Sequence, residues 1–499
     1  MKKLHPFMLA GTGSDVGKSI IATALCRILK QDGYTPAPFK AQNMALNSYV
    51  TKEGAEIGRA QAVQAEAAGI PCHTDMNPVL LKPNSDHTSQ VVLNGRPIGN
   101  ANAYNYFRKE GKEELKEAVQ QAYNRLGARY NPIVMEGAGS ICELNLADGD
   151  IVNMSMARYA GADIFLVADI DRGGVFASAY GTVMLQKPED RERIKGLIIN
   201  KFRGDLRLFE SGRKILETLC GIPVLGVIPY YKDIYIEEED SVDIAAKAFN
   251  SEKGKINIAV VLLRHISNFT DFNTLERDSR VRLFYTSNKE EIQKSDIIII
   301  PGTKSTIADL IELRRNGVAQ AIINAQRAGK TILGICGGFQ ILGAEVLDPN
   351  HIEGDTEKMP GLALLPISTT MEEGKVTKQL SFTFAKDKGV KQRNKMQGYE
   401  IHSGITTPYQ GAALTSLFTK EDGADEGVIA NGNVMGTYIH GCLDNAAFID
   451  FLLSPFADKA AESKSLDYHQ FKELQYNKLA EHVRGHLDMK LIYKILSDD

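Results

Sequence analysis

The sequence has 499 residues, which is too many for a single hydrophobic core and predicts about three domains or fewer. Its 43% of hydrophobic and 24% of charged residues are ordinary for a globular protein, and a net charge of −4 without a dominant basic tract argues against nucleic acid as a main partner. No apolar run reaches the roughly 18 residues of a membrane span, and no secretory cleavage pattern precedes the first predicted strand, so we expect a cytoplasmic protein without a membrane partner. The six cysteines are scattered without metal-like pairs, so neither disulfides nor zinc are expected.

The first half of the chain alternates short apolar runs with helical patterns. Near-continuous apolar strands separated by helices are typical of a parallel sheet covered on both faces. We predict strands at Phe7–Ala10, Ala37–Lys40, Pro132–Met135, Ile164–Ala168, Gly196–Asn200 and Val224–Ile228. An acidic, polar stretch at 236–254 is interpreted as a linker, so residues 1–235 form the first predicted domain.

A glycine-rich loop, GTGSDVGKS at 11–19, follows the first predicted strand and precedes an amphipathic helix. Such a loop turns backbone N–H groups toward phosphate oxygens, while its lysine reaches the outer phosphates and its serine ligates Mg²⁺. The standard spacing requires glycine where this sequence has Thr12, and the variant resembles the loop of dethiobiotin synthetase. A glycine-rich turn without a ligand is the less favoured interpretation. We therefore predict a nucleotide site that includes Gly13, Gly17, Lys18 and Ser19.

Polar side chains also follow several of the other predicted strands. In an open parallel sheet ligands bind outside the carboxyl ends of the strands, so Lys40 is expected to face the same crevice as the loop. Glu136, which is followed by Gly137, is a candidate ligand of Mg²⁺. Asn200 is a candidate to hydrogen-bond the edge of the adenine ring. Each of these residues also has a structural interpretation. Lys40 would then be a solvated lysine, Glu136 part of a plain turn, and Asn200 an ordinary residue at a strand exit. Other carboxylates that stay open as metal ligands are Asp169, Asp171 and Glu56.

The same alternating pattern restarts after the linker. Predicted strands are Ile256–Leu263, Ile297–Ile300 and Thr331–Ile335, with a helix from Ile307 to Ala325. This parallel unit ends near Gly441, which defines a second domain at 255–445. Residues 446–499 are predicted to form a C-terminal helical extension, because 468–487 has apolar residues at helical spacing. The fold class is therefore α/β, with two doubly wound parallel-sheet domains.

A cysteine stands between small residues at a predicted strand-to-helix junction, in GICGG at 334–338. The glycines permit the strained turn that exposes the thiol of Cys336, and the helix N-terminus favours its thiolate. The Gly337 N–H and the segment 301–303 are candidate oxyanion donors. His440, at a predicted strand end, is the preferred base and His402 the rival one. Either residue type alone is more often structural, but the combination predicts a nucleophile and its base.

Stretches spread over nearly the whole chain resemble the cobyric acid synthase family, the glutamine-dependent amidotransferases of cobalamin biosynthesis. As a set they are far more selective than any single motif. They are GTGSDVGKS, AQNMALNS (41–48), MNPVLLKP (76–83), MEGAGS (135–140), DIVNMSMA (150–157), ADIDRGGVFA (168–177), NKFRGD (200–205), GICGGFQILG (334–343), GYEIHSG (398–404) and GTYIHG (436–441). The resemblance implies a P-loop domain like dethiobiotin synthetase, followed by a domain like class I glutamine amidotransferases.

The resemblance also implies a reaction, the amidation of the b, d, e and g carboxylates of adenosylcobyrinic acid a,c-diamide to give adenosylcobyric acid. Its substrates are L-glutamine, ATP and the corrinoid, with Mg²⁺ as cofactor. Whether the protein forms a homo-oligomer is left open. Because a carboxylate is a poor electrophile, ATP must first convert it to an acyl phosphate. Because free ammonia is mostly protonated at neutral pH, a separate site must release it from glutamine through a Cys336 thioester.

One departure from the wider glutaminase pattern concerns the third member of the triad. Standard class I glutaminases carry His-x-Glu, whereas Cys442 occupies the glutamate position in this sequence. Asp444 and Glu400 are the candidates from sequence.

Two other functions are weighed against this one. Cobyrinic acid a,c-diamide synthase shares both domains, but the AQNM, NMSMA and DIDRGGVFA stretches favour the cobyric acid synthase family. A P-loop partitioning or regulatory ATPase predicts no glutaminase nucleophile, so Cys336 with His440 counts against it.

Overall fold

The computed structural model of the chain describes residues 2–83, 88–102, 112–237, 250–385, 395–459 and 467–497. The chain divides into two compact units. Unit 1 comprises Met1–Ala45, Ala55–Glu237 and Gln470–Asp499, and unit 2 comprises Leu46–Gly54 and Glu238–His469. Most of the predicted linker, at 238–249, lies outside the described residues. Within the described ranges, none of the helices combines the length and apolar character needed to cross a membrane.

Elements are numbered in chain order through both units. The strands of unit 1 are β1 (Phe7–Gly11), β2 (Ala37–Phe39), β3 (Gln42–Met44), β5 (Glu56–Gly58), β6 (Val79–Pro83), β7 (Thr88–Leu93), β8 (Arg96–Asn102), β9 (Ile133–Glu136), β10 (Asp163–Asp169), β11 (Ile194–Phe202) and β12 (Val224–Pro229). Its helices are α1 (Lys18–Gln31), α2 (Arg59–Ala68), α3 (Glu113–Gly127), α4 (Met154–Ala160), α5 (Val175–Leu185), α6 (Pro188–Arg191), α7 (Glu210–Cys220), α14 (Tyr468–Arg484) and α15 (Met489–Leu496).

The main sheet of unit 1 has the strand order β12-β11-β10-β1-β9-β2, and all of its pairings are parallel. The predicted strands of the first half are all present, with ends shifted by a few residues. Strand β1 is buried along its whole length between β9 and β10, which explains its continuous apolar sequence. Leu9 lies opposite Glu136, so the glycine-rich loop and this carboxylate leave the sheet at the same edge. A smaller sheet has the order β3-β6-β7-β8.

The C-terminal helices α14 and α15 belong to unit 1, although they follow unit 2 in the chain. Leu479 and Val483 of α14 pack in the same core as Leu25 and Ile28 of α1. The predicted extension at 446–499 is therefore not one structural piece, because its first helix stays in unit 2 and its last two complete the core of unit 1. Sequence periodicity identifies an apolar helix face but not the surface that covers it.

Unit 2 contains β4 and the elements between the linker and α14. Its strands are β4 (Ser48–Val50), β13 (Ile256–Val261), β14 (Val281–Thr286), β15 (Ile297–Ile300), β16 (Thr331–Ile335), β17 (Glu345–Leu347), β18 (Lys358–Pro360), β19 (Ile367–Phe384), β20 (Met396–Pro408), β21 (Ser416–Lys420), β22 (Asp425–Ala430), β23 (Val434–Thr437) and β24 (Ile439–His440). Its helices are α8 (Asn273–Glu276), α9 (Lys289–Lys294), α10 (Thr306–Arg315), α11 (Val318–Arg327), α12 (Gly337–Leu342) and α13 (Ala446–Leu453).

The large sheet of unit 2 is parallel in its first part and mixed in its second. The order begins β14-β13-β15-β16-β23, with parallel pairings throughout, and continues β22-β21-β19-β17-β18. Strand β20 pairs with β19 and with the short β24. The predicted helix from 307 to 325 is two helices, because the chain breaks at Asn316 and Gly317, where Gly317 has a φ of 80°. The carboxyl ends of β16 and β23 bring the regions of Cys336 and His440 to one edge.

The packing of α14 predicts unequal effects for two leucines on the same helix. Leu479 is fully buried in unit 1, whereas Leu474 is 60% exposed. We expect Leu479→Ala to destabilise unit 1 by about 2–5 kcal/mol through the cavity it leaves. Leu474→Ala, the matched control, should change stability by no more than about 0.5 kcal/mol. Thermal unfolding of the full chain measures both, and equal midpoints for the two variants would contradict the assignment of α14 to this core.

Candidate active sites

The glycine-rich loop connects β1 to α1 and closes around the amino group of Lys18. The Lys18 Nζ donates to the carbonyl oxygens of Gly13, at 3.1 Å, and Gly139, at 2.9 Å. A Cβ added at Gly11 would lie 2.7 Å from this Nζ, so the lysine can fold back only over a glycine. The unusual Thr12 does not prevent this geometry, since its N–H donates to the Val167 carbonyl at 3.0 Å.

Lys18 is buried, and burial makes its charge less favourable than in water. Burial lowers the pKa of Lys18 to about 8, and the nearby Glu136 carboxylate opposes this shift only in part. Phosphate oxygens in the loop would supply the missing negative charge. The arrangement is therefore suited to binding the phosphates of a nucleotide.

Glu136 receives hydrogen bonds from three side chains. Ser19 Oγ and Lys40 Nζ both donate to Oε1, at 2.9 and 2.8 Å, and Gln64 Nε2 donates to Oε2 at 2.7 Å. Burial alone would raise the pKa of Glu136, but the charge and hydrogen bond of Lys40, with the hydrogen bond of Gln64, hold it below the usual value. The structure thus brings together the predicted Ser19, Lys40 and Glu136. It adds Gln64 of α2, for which the sequence provided no signal.

The Ser19 hydroxyl and the ionised Glu136 carboxylate fit a Mg²⁺ ion, which takes oxygen ligands and usually only one or two protein carboxylates. The alternative carboxylates are engaged elsewhere. Glu56 pairs with Lys82, with 2.5 Å between Oε1 and Nζ. The Lys201 Nζ lies 3.0 Å from Asp169 Oδ2, and the Arg203 Nε lies 2.6 Å from Asp171 Oδ1.

Asn200 lies beside the loop, at the carboxyl end of the sheet. Its Nδ2 donates to the Val16 carbonyl at 2.9 Å and occupies the space beside Gly17, where an added Cβ would lie only 2.1 Å away. Gly17 also has a φ of 97°, which glycine adopts without strain. Asn200 therefore holds the loop in shape, and its contact with adenine stays a prediction.

Cys336 sits on a strained turn between β16 and α12. Its φ of 52° and ψ of −110° are unusual for a residue with a side chain, and its N–H donates to the Thr437 carbonyl at 2.8 Å. A Cβ added at Gly338 would lie 1.9 Å from the Ile300 carbonyl oxygen, so only glycine lets the helix start this close to β15. The strand-to-helix turn predicted at Cys336 is present in the structure, and its role as the nucleophile stays a prediction.

His440 is almost completely buried and bonded to Asp271, a residue that the sequence analysis did not identify. The His440 Nδ1 lies 2.7 Å from Asp271 Oδ2, and the Gly441 N–H donates to Oδ1 at 3.0 Å. Burial alone would lower the pKa of His440, but the charge and hydrogen bond of Asp271, helped by a hydrogen bond with Cys336, raise it to about 10. The imidazolium form of His440 is therefore favoured over the neutral ring.

Comparison with known proteins gives the same two-part division. A family model described as a CobQ/CobB/MinD/ParA nucleotide binding domain matches residues 7–244, and one described as a CobB/CobQ-like glutamine amidotransferase domain matches residues 257–448. Relatives named cobyric acid synthase match almost end to end. That of Bacteroides fragilis is 66% identical over 100% of this chain and 99% of its own length. Those of Phocaeicola vulgatus and Parabacteroides distasonis are 66% and 55% identical, over 99% of both chains in each case.

The chain belongs to the cobyric acid synthase family. It is a glutamine-dependent ligase of cobalamin biosynthesis, with a P-loop nucleotide-binding domain and a glutamine amidotransferase domain. The α/β fold class predicted from the sequence is confirmed. The fold of this family member places the two candidate sites in different units.

The other histidine and carboxylate candidates occupy different surroundings. His402 stacks on Tyr438, with 3.7 Å between ring centroids, and burial lowers its pKa to about 4. Asp444 accepts a hydrogen bond from Thr274 at 2.8 Å. Glu400 pairs with Lys420 and Lys378. The partner of the His440 Nδ1 is instead Asp271, 169 positions earlier in the chain, and no spacing rule connects residues so far apart.

The segment 301–303, predicted as a second source of oxyanion donors, lies beside the cysteine turn. A Cβ added at Gly302 would be 3.2 Å from His440 Cε1, and one at Gly337 would be 2.6 Å from Thr303 Cγ2. Backbone groups of both loops therefore lie near the imidazole and the start of α12. Their role as oxyanion donors stays a prediction.

The contact between Asp271 and His440 predicts different results for two aspartates. Asp271→Asn removes the charge that favours the imidazolium, so we expect glutamine hydrolysis to fall on the order of 10²–10⁴-fold. Asp444→Asn should hydrolyse glutamine at close to the normal rate, because its side chain bonds Thr274. Glutamate release measures both rates, and amidation driven by high ammonium checks that each variant is folded. A normal rate of glutamine hydrolysis for Asp271→Asn would show that Asp271 has no part in the site.

Proposed function

We propose that the chain amidates the b, d, e and g carboxylates of adenosylcobyrinic acid a,c-diamide, using ATP and glutamine, to give adenosylcobyric acid. The observation that carries the proposal is the alignment of Cys336, His440 and Asp271 in one unit of a chain whose other unit holds a phosphate loop. The relatives named cobyric acid synthase support the choice of a corrinoid substrate. The proposed location is the cytoplasm, where ATP and glutamine are both present.

In unit 2 the proposed reaction releases ammonia from glutamine. The Cys336 thiolate attacks the carboxamide carbon, and the charge that develops on oxygen is stabilised by backbone N–H groups such as that of Gly337. His440 then gives its proton to the leaving nitrogen, so that ammonia departs and a thioester remains. Water then gives a proton to the neutral His440 and attacks the thioester, so that glutamate leaves, one proton goes to solvent, and the Cys336 thiolate and the His440 imidazolium are restored. Asp271 holds the ring orientation and stabilises the imidazolium throughout.

In unit 1 the proposed reaction activates the carboxylate. A carboxylate oxygen of the corrinoid attacks the γ-phosphorus of ATP, which forms an acyl phosphate and releases ADP. Ammonia attacks the acyl carbon, and inorganic phosphate leaves. Lys18 and Lys40 supply positive charge near the transferred phosphoryl group. Ser19 and Glu136 would hold Mg²⁺, which when bound neutralises phosphate charge.

The first test removes the proposed nucleophile. Cys336→Ala should abolish glutamine-dependent amidation but keep amidation driven by high ammonium, because the activating site lies in the other unit. Cys142→Ala, a change at a half-buried cysteine of unit 1, is the matched control. Glutamate release gives the glutaminase rate, and mass spectrometry of the corrinoid counts the amides formed. Glutamine hydrolysis by Cys336→Ala at a near-normal rate would reject this nucleophile.

The second test concerns the proposed metal ligand. Glu136→Gln keeps the shape of the side chain but removes its charge, so we expect a higher Mg²⁺ concentration for half-maximal amidation and a large loss of turnover. Basal glutamine hydrolysis should be spared. Asp171→Asn, at one of the alternative carboxylates, serves as the comparison and should keep the normal Mg²⁺ dependence. An unchanged Mg²⁺ titration for Glu136→Gln would return this residue to a structural role.

A further inference from the structure

The imidazole of His440 has an aromatic neighbour that the proposed chemistry does not use. Tyr399 of β20 lies directly opposite His440 of β24, and the two rings stack with centroids 5.3 Å apart and planes 18° from parallel. Tyr399 is buried. The hydrogen bond to Asp271 restrains Nδ1 at one edge of the ring. The face of Tyr399 restrains the tilt of the ring about that bond and so helps to aim Nε2.

The hydroxyl group of Tyr399 reaches the segment that carries Asp271. Asn268 Nδ2 donates to this hydroxyl at 3.2 Å. Asn268 is the residue that begins the short 3-10 helix Phe269–Phe272, in which Asp271 lies. Tyr399 therefore contacts both the imidazole and the turn that supplies its carboxylate partner. A single side chain is placed to keep the two groups aligned.

Tyr399 is covered in turn by Leu46–Gly54, which we call the docked segment. The docked segment belongs to unit 2, although the chain on both sides of it belongs to unit 1. Tyr49 meets the Tyr399 ring edge-on, with centroids 5.4 Å apart and planes 62° from parallel. Val50 packs in the same apolar cluster as Tyr399 and Ile401. This gives the docked segment a direct apolar contact with the residue that stacks on His440.

Polar contacts hold the docked segment in this position. Gln379 Nε2 of β19 donates to the Val50 carbonyl at 2.8 Å and lies 3.2 Å from the Tyr49 hydroxyl. The Tyr399 hydroxyl lies 3.5 Å from the Ser48 carbonyl oxygen. A Cβ added at Gly54 would be 2.8 Å from the Thr377 carbonyl oxygen, so the backbone approaches β19 closely at that point. These contacts extend from Ser48 to Gly54 of the docked segment.

We propose that the docked segment, through Tyr49 and Tyr399, positions His440 and thereby controls the competence of the glutaminase site. The inference rests on the proposed roles of Cys336 and His440. Tyr49 and Tyr399 are positioning residues, because neither is placed to touch the reacting atoms.

The test compares substitutions that remove the ring contacts with ones that keep them. Tyr49→Ala removes the edge contact and Tyr399→Leu removes the stack, so we expect the kcat of glutamine hydrolysis to fall ~10–100-fold with KM for glutamine unchanged. Tyr49→Phe keeps the ring and should stay within about two-fold of normal. Tyr409→Ala, at a half-buried tyrosine of unit 2 outside these contacts, is the control. Alkylation of Cys336 by iodoacetamide, followed against pH, gives a readout independent of turnover.

The outcomes separate this inference from the function on which it rests. A fall in kcat and in the alkylation rate for Tyr49→Ala, with Tyr49→Phe near normal, supports the positioning role. A normal kcat and alkylation profile for Tyr49→Ala, or a rise in KM alone, overturns it. Should Tyr399→Leu fail to fold, Tyr49→Ala decides the question. Glutamine hydrolysis by Cys336→Ala would reject the glutaminase assignment itself, whereas an inactive Cys336→Ala beside a normal Tyr49→Ala would reject only the positioning role.

Discussion

Burying a carboxylate is unfavourable unless a cation or several hydrogen-bond donors surround it, and this constraint organises both candidate sites. Glu136 is nearly inaccessible to solvent and is bonded by Lys40, Ser19 and Gln64. Asp271 is equally buried and faces His440, with the Gly441 N–H as a second donor. In each case the requirement to compensate the charge also determines where the neighbouring groups point. The geometry of each candidate site is thus a consequence of satisfying a buried charge.

Close approach of other groups to the backbone at glycines is the second constraint that the two sites share. At the nucleotide loop, Gly11 leaves room for the Lys18 amino group and Gly17 for the Asn200 amide. At the cysteine turn, Gly338 lies against the carbonyl of Ile300. Any side chain at these positions would push the loop away from the sheet. The glycines therefore determine how near the reactive groups come to the carboxyl ends of the strands.

The two units are interlaced along the chain, and this has a functional consequence. The docked segment leaves unit 1 to cover Tyr399, and the last helices of the chain return to unit 1 after unit 2 is complete. Each unit therefore contains residues from distant parts of the sequence. The docked segment, which we propose to position His440, therefore belongs to a different unit from the chain on either side of it.

The sequence by itself determined the residues whose role depends on local backbone conformation. Lys18 and Ser19 follow from a glycine-rich loop between an apolar strand and a helix, and Cys336 from small residues at a strand-to-helix turn. Glu136 and Lys40 were found because parallel strands end at a common edge. These patterns span only a few residues, so the chain carries them in readable form.

Only the tertiary structure decided which distant groups become partners. Asp271 pairs with His440 across 169 positions, and Gln64 reaches Glu136 across 72. The antiparallel part of the second sheet, the return of α14 to the first core and the position of the docked segment were likewise not readable from the sequence. Local patterns encode backbone conformation and burial. The choice of partner depends on how all the buried surfaces and charges are satisfied together, and no short stretch of sequence contains that information.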